Sequence, residues 1–276
     1  MSGRYHLYVS YACPWAHRTL ITRALRGLEG TIPVTILSPR LGDDGWAFSE
    51  EDPDPVANVP FLRDVYLRAK PGMTGKVTVP VLYDRQTDTI VSNESREIMR
   101  MLDSEFDVFA EHGKSLAPPS LREHVDNVLT ELYEPINNGV YRAGFASNQE
   151  AYDEAVTQLF AALDHWDAVL STQRFLTGDD LTEADIALFT TLLRFDLVYY
   201  AHFKCNVRRI ADYPHLQGFL RDLYQMKLIY GTCRLDHIKE HYCWSQNNVN
   251  PSRIVPQGPT LDLDVPHERG LVGVGP

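Results

Sequence analysis

The residue pattern of this chain changes character once, and that change limits what it can fold into. Over residues 1–107, short β-branched runs alternate with helical stretches in the order β-α-β and then β-β-α. Beyond Pro118-Pro119 the pattern is almost wholly helical. A chain ordered this way makes a small α/β domain followed by an all-α one. Residues 4–10 read as a first strand, 15–28 as a first helix and 34–37 as a second strand. A polar loop over 38–58 carries Trp46, and 61–70 adds a helical turn or two. Residues 77–83 form a strand interrupted by Pro80, and 89–92 close a hairpin onto it. Asn93 or Ser95 then caps a helix that runs to about Phe106.

In the helical half, 121–133 is amphipathic, and Pro135 with Asn137-Asn138-Gly139 breaks or bends it. A longer helix covers 149–170. Thr182, with Asp185 three residues on, marks the start of a strongly apolar helix over 186–193. Pro214 opens another helix, to about Gln225. From Pro251 onward, Pro256, Pro259 and Pro266 favour an extended tail over a packed element. The expected divisions are therefore 1–107, 108–250 and 251–276.

The chemistry concentrates at Tyr11-Ala12-Cys13-Pro14-Trp15-Ala16-His17-Arg18, where the first strand gives way to the first helix. Pro14 suits the first helical position, so Cys13 falls at the helix N-terminus. Unpaired backbone N–H groups and the positive end of the helix dipole there favour a thiolate, the reactive form. Ala16 stands where a C-x-x-C motif would have its second sulfur. A mixed disulfide formed at Cys13 then has to be released by a thiol from outside. The alternative is a buried structural cysteine at a strand end.

Composition narrows the partners. At 276 residues with 44% hydrophobic and 23% charged residues, the chain has the make-up of a soluble globular protein. A net charge of −11 argues against nucleic acid or an anionic membrane as partner. An anionic substrate would be met by local groups such as Arg18, Lys76, Arg96 and helix N-termini. Cys13, Cys205, Cys233 and Cys243 form no regular framework, which suits a reducing compartment. No signal pattern or membrane-length apolar run is present, so the cytoplasm is the expected location.

A second set of residues complements the Cys13 loop. If Val79-Pro80 is cis, the Val79 N–H and C=O point away from the sheet and can hold a thiol peptide as a short extra strand. Ser95 at a helix start can receive a carboxylate, and Glu94 an ammonium. A γ-glutamyl group presents both together. Each feature is ordinary alone; their order after a Cys-Pro helix start is not.

The segments Tyr8 to Arg18, Val79 to Leu82, Ser92 to Ser95, Asn137 to Ala146, Phe195 to Tyr199 with His202 to Lys204, and His237 to Tyr242 resemble the glutathionyl-hydroquinone reductases. These are the Xi class of glutathione transferases, related to the Omega class, and the resemblance spans essentially the whole chain. It implies a thioredoxin-like N-terminal domain, an all-helical glutathione-transferase C-terminal domain and a homodimer. It implies Cys13 as nucleophile, with glutathione as co-substrate held by Trp46, Lys76, Val77, Thr78, Val79, Pro80, Glu94 and Ser95. Tyr141 matches the family's proton donor, and Tyr199 and Tyr242 match tyrosines that line the site and favour the thiolate. The substrates implied are glutathionyl-hydroquinones, with no bound cofactor and no metal.

The chain departs from the pattern at Tyr11, where a smaller or aliphatic residue is usual, and at Cys243, where a second aromatic is expected after Tyr242. It also starts at the first strand, without the family's common N-terminal extension. Two other functions use the same residues. One is an Omega-like thioltransferase or dehydroascorbate reductase; the other is a non-catalytic ligand-binding protein. His237 and His241, four apart and flanked by Cys233 and Cys243, could form a zinc site. Helix packing or hydrogen bonding is the reading preferred for them.

Overall fold

The computed structural model describes residues 3–111 and 113–271. The chain divides into two compact units, one of Met1–Lys114 with Arg234–Ser245, the other of Ser115–Cys233 with Gln246–Pro276.

The first unit is built on a four-stranded sheet in the order β2-β1-β3-β4. The strands are β1 (Tyr5–Val9), β2 (Val34–Ile36), β3 (Val81–Asp84) and β4 (Thr89–Ser92). β1 pairs parallel to β2 and antiparallel to β3, with Leu7 opposite both Val34 and Leu82. Four successive β1 residues are buried, so both faces of the strand are covered. Helices α1 (Pro14–Leu25) and α3 (Ser95–Arg100) pack on each other, and α2 (Leu62–Ala69) lies against β4. Leu7, Val9, Leu20, Val81, Ile98 and Leu102 meet in the core.

Three sequence expectations shift here. α1 stops at Leu25 and not at 28, because Gly27 takes a φ of 62° and turns the chain into a left-handed cap. Residues 77–80 stand outside the ladder, which begins only at Val81. The unit extends past 107 because buried Arg26 binds Asp107, lies 3.5 Å from Asp103 and donates to the Gly113 carbonyl at 2.7 Å.

The second unit holds α4 (Arg122–Leu132), α5 (Gly139–Gly144), α6 (Gln149–Leu170), α7 (Glu183–Arg194), α8 (Tyr200–His202), α9 (Pro214–Gln225) and α10 (Lys227–Tyr230). All twelve residues of α7 are buried, so this helix has no solvent face; α4, α9 and the turns Tyr133–Asn137 and Phe195–Tyr199 pack on it. Asp185 in its first turn accepts from Thr182 N at 2.8 Å and from Leu176 N at 2.7 Å. That is the return half of the capping pattern expected there.

Pro135 does not break the chain's helical path. Tyr133–Asn137 forms a π-helical turn, in which Asn138 N donates to Tyr133 O five residues back at 2.8 Å. The tail also differs from the expectation of an unpacked extension. Arg269 Nη2 donates to the carbonyls of Leu170, Gln173 and Arg174 at 3.0, 2.7 and 2.9 Å. Leu263 is buried, and Gln225 reaches the Leu263 carbonyl at 2.7 Å. These bonds cap the end of α6 and fasten the tail along α9.

Candidate active site

Cys13 occupies the N-cap of α1, with Pro14 following and no acidic side chain in the first turn. Its N–H donates to Ser10 O at 3.2 Å, and its carbonyl accepts from His17 N at 2.9 Å. The half-buried sulfur lies 3.7 Å from the Val79 carbonyl. The thiol and the Val79-Pro80 loop, far apart in sequence, therefore meet at one place, and that peptide bond is cis, one of the two conformations left open by the sequence. Burial pushes the Cys205 and Cys233 thiols up to about 12 and raises that of Cys243. At neutral pH those three are protonated and unreactive.

The residues around the Val79 loop divide by what their polar atoms do. Thr78 is tied down, its carbonyl accepting from Tyr66 Oη at 2.9 Å and its hydroxyl from Asn93 Nδ2 at 3.2 Å. Asn93 thus braces the loop and does not cap α3; Glu94 is the N-cap residue, with no side-chain cap. Lys76 and Glu94 are exposed and Ser95 is buried at the start of α3. Among the described residues none of these three side chains has a hydrogen-bond or ion-pair partner. An ammonium, a carboxylate and a hydroxyl near the Val79 loop are thereby uncommitted among the described residues.

The sheet unit also takes in α11 (Leu235–Glu240) and the π-helical turn His241–Ser245, which the sequence pattern assigned to the helical part. The contacts that hold this segment there are aromatic and polar. His241 stacks on Trp46 with ring centroids 5.1 Å apart and planes 13° from parallel. His237 meets Tyr11 edge-on at 5.6 Å, and the Arg234 guanidinium lies 5.8 Å from the same ring. Tyr242, 1% exposed, is carried on the same turn. Among the described residues no three His, Cys, Asp or Glu side chains form a group able to hold a metal ion.

Tyr141 and Tyr199 are brought together in the helical unit. Tyr141 stands on α5 and buried Tyr199 closes the π-helical turn Phe195–Tyr199, with their hydroxyls 3.4 Å apart. Phe203 stacks on Tyr199 at 5.5 Å and 7°, and touches Tyr141 edge-on at 5.5 Å. Phe145 joins the cluster 5.1 Å from Phe203. Asn137 secures the turn ahead of α5 by donating to Ala187 O at 3.0 Å and Thr191 Oγ1 at 2.9 Å. Sequence reasoning missed Asn93, Asn137 and Phe203 as supports; for His241 it expected packing or hydrogen bonding, and the structure gives it both. Of those three, only Asn137 had a signal, the Asn-Asn-Gly run.

A sheet with a lone cysteine at its first helix start, followed by a helical unit around a buried helix, is the arrangement that the resemblance to glutathione transferases implied. Comparison with known proteins agrees. Residues 12–105 match the family model "Glutathione S-transferase, N-terminal domain", and 149–222 match "Glutathione S-transferase, C-terminal domain". The glutathionyl-hydroquinone reductase YqjG of Escherichia coli is 51% identical over 97% of this chain and 83% of its own length. The glutathionyl-hydroquinone reductase PcpF of Sphingobium chlorophenolicum is 47% identical over 95% of this chain and 84% of its own. Among solved structures, a Xi-class transferase from Natrialba magadii is 58% identical with a TM-score of 0.95, covering 97% of this chain and 85% of that one. Glutathione-bound YqjG is 50% identical with a TM-score of 0.95, covering 98% and 89%. The chain belongs to the glutathione transferases, and within them to the Xi class. No helix among the described residues is long and apolar enough to cross a membrane.

Proposed function

We propose that this chain is a glutathionyl-hydroquinone reductase that works through a Cys13–glutathione mixed disulfide. The observation that carries the reading is the isolation of the reactive sulfur. Cys13 stands at a helix start, Ala16 denies it an internal partner, and burial keeps the other three thiols protonated. The likeness to two proteins named for this activity supplies the substrate class.

In the proposed reaction the Cys13 thiolate attacks the sulfur of the glutathionyl-hydroquinone. The aromatic carbon–sulfur bond breaks, its electron pair stays on carbon, and Tyr141 donates the proton that completes the hydroquinone. A second glutathione then attacks the Cys13–S–S–glutathione bond, giving oxidised glutathione and free Cys13 thiolate. The balance is one glutathionyl-hydroquinone plus one glutathione to hydroquinone plus glutathione disulfide. Trp46, Lys76, Val77, Thr78, Val79, Pro80, Glu94 and Ser95 hold the glutathionyl part in this reading. The open ammonium, carboxylate and hydroxyl of Lys76, Glu94 and Ser95 support it. Tyr199 and Tyr242 favour the thiolate by hydrogen bonding. The reading carries with it a cytoplasmic homodimer needing no bound cofactor.

The test is turnover of glutathionyl-menadiol with glutathione, following menadiol and glutathione disulfide together. Both should appear in equal amounts, vanish in Cys13→Ser, and fall about 10²–10⁴-fold in Tyr141→Phe, the usual worth of a positioned proton donor. Disulfide reduction without hydroquinone release would replace this reading with the Omega-like thioltransferase. No turnover of either kind would leave a binding protein.

A further inference from the structure

Trp46 rides on a loop that is fastened from the far end of the chain. His241 Nδ1 lies 2.8 Å from the Pro39 carbonyl. A carbonyl only accepts, so the imidazole N–H donates and fixes the ring's orientation. Leu41 N donates to Ser245 Oγ at 2.9 Å, and Arg40 Nε meets Glu240 Oε1 at 2.6 Å. On the loop's other flank, Leu62 N donates to the Trp46 carbonyl at 2.9 Å. The backbone on both sides of Trp46 is thus held, and the flat face of His241 lies along one side of the indole. Trp46 is 7% exposed, and among the described residues none accepts a hydrogen bond from its N–H. A buried ring body with an uncommitted donor is what a ligand-orienting indole requires.

We propose that His241 is a positioning residue for Trp46. Bonded to Pro39 and stacked on the indole, it holds the Trp46 N–H toward the γ-glutamyl thiol before that ligand arrives. This rests on the reading of Trp46 as a glutathione contact. Without the imidazole, one face of the indole opens onto a void into which it can turn. Binding would then have to order it again, and affinity falls by that ordering cost. Phenylalanine at 241 would keep the flat face while losing the Pro39 bond.

The experiment measures glutathione binding calorimetrically to the full chain carrying Cys13→Ser, which cannot turn over. His241→Ala should weaken binding about tenfold, and His241→Phe should recover most of the loss. Trp46→Ala should weaken it as much or more, and adding His241→Ala to Trp46→Ala should cost nothing further, because one acts through the other. Should His241→Ala fail to fold, His241→Leu fills the volume without a flat face and carries the same expectation. Normal binding in His241→Ala beside weakened binding in Trp46→Ala would overturn the inference alone. So would additive losses in the double variant. Normal binding in Trp46→Ala would sink the reading of Trp46 itself, and the inference with it.

Discussion

Gly144 closes α5 against the ring of Phe203, and replacing it with alanine tests how tightly the phenol pair is built. A Cβ at 144 would lie 2.8 Å from Phe203 Cβ and nearer still to two of its ring carbons. Carbon atoms pack at about 3.5–4.0 Å, so the Phe203 ring must retreat by roughly 1 Å or more. It has no room to do so freely, being fully buried, stacked on Tyr199 and in edge contact with Tyr141 and Phe145. Overpacking of this kind costs about 1–3 kcal/mol, and contact with a rigid ring puts Gly144→Ala near the upper end. At about 2–3 kcal/mol, thermal unfolding of the helical unit should move down by roughly 4–12 °C. The displaced ring should also pull the Tyr199 hydroxyl away from that of Tyr141, now 3.4 Å distant, and slow hydroquinone release. Circular dichroism melts and turnover of glutathionyl-menadiol read the two effects. Phe203→Ala should cost about 3–5 kcal/mol alone, whereas Gly144→Ala added to it should cost almost nothing, since the new methyl then enters the vacated space. Equal losses with and without Phe203, or an unchanged melt in Gly144→Ala, would refute the steric reasoning.

Two further changes act on stability through different physics. Burial pushes the Asp185 carboxyl up to about 6 from its ordinary 3.8, so the folded state binds its proton more tightly than the unfolded state does. Its contribution is full below 3.8 and is lost as pH rises through about 6; urea midpoints across that window should therefore show a falling component that is absent in Asp185→Asn. Arg269→Met should leave the Leu170, Gln173 and Arg174 carbonyls without their shared donor, destabilising the helical unit by about 2–3 kcal/mol. Limited proteolysis beyond residue 250 should accelerate, and an unchanged digestion pattern would show that the tail is held by other contacts.

Much of this molecule is legible locally. Pro14 after Cys13 fixes the helix start, the β-branched runs fix the strands, and Thr182 with Asp185 fixes the entry to α7. Each of these is a rule about neighbours along the chain. The features that were not legible depend on partners far away. Leu235–Glu240 has the pattern of an ordinary amphipathic helix, and nothing in it states that His241 will stack on a tryptophan almost two hundred residues earlier. Pro135 reads as a helix breaker because it lacks an N–H, yet a π-helical turn carries the chain past it. The prolines of the tail speak correctly for extended backbone, but the packing comes from Arg269, a single residue whose partners are carbonyls and leave no mark in the sequence. Of the site, Cys13, the proposed nucleophile, stood out from its own surroundings. The braces at Asn93 and Asn137 did not, because an asparagine declares its bond only when the acceptor is in place.

The complete enclosure of α7 has a consequence for how such a chain can drift. A helix with one wet side offers evolution positions where exchange goes unnoticed; this one offers none, since even Glu183, Thr190, Thr191 and Arg194 are surrounded. Any accepted change along it must be answered at once by a neighbour on another helix. The twelve residues Glu183–Arg194 are therefore where descendants of this protein should differ least, whatever substrate they come to prefer.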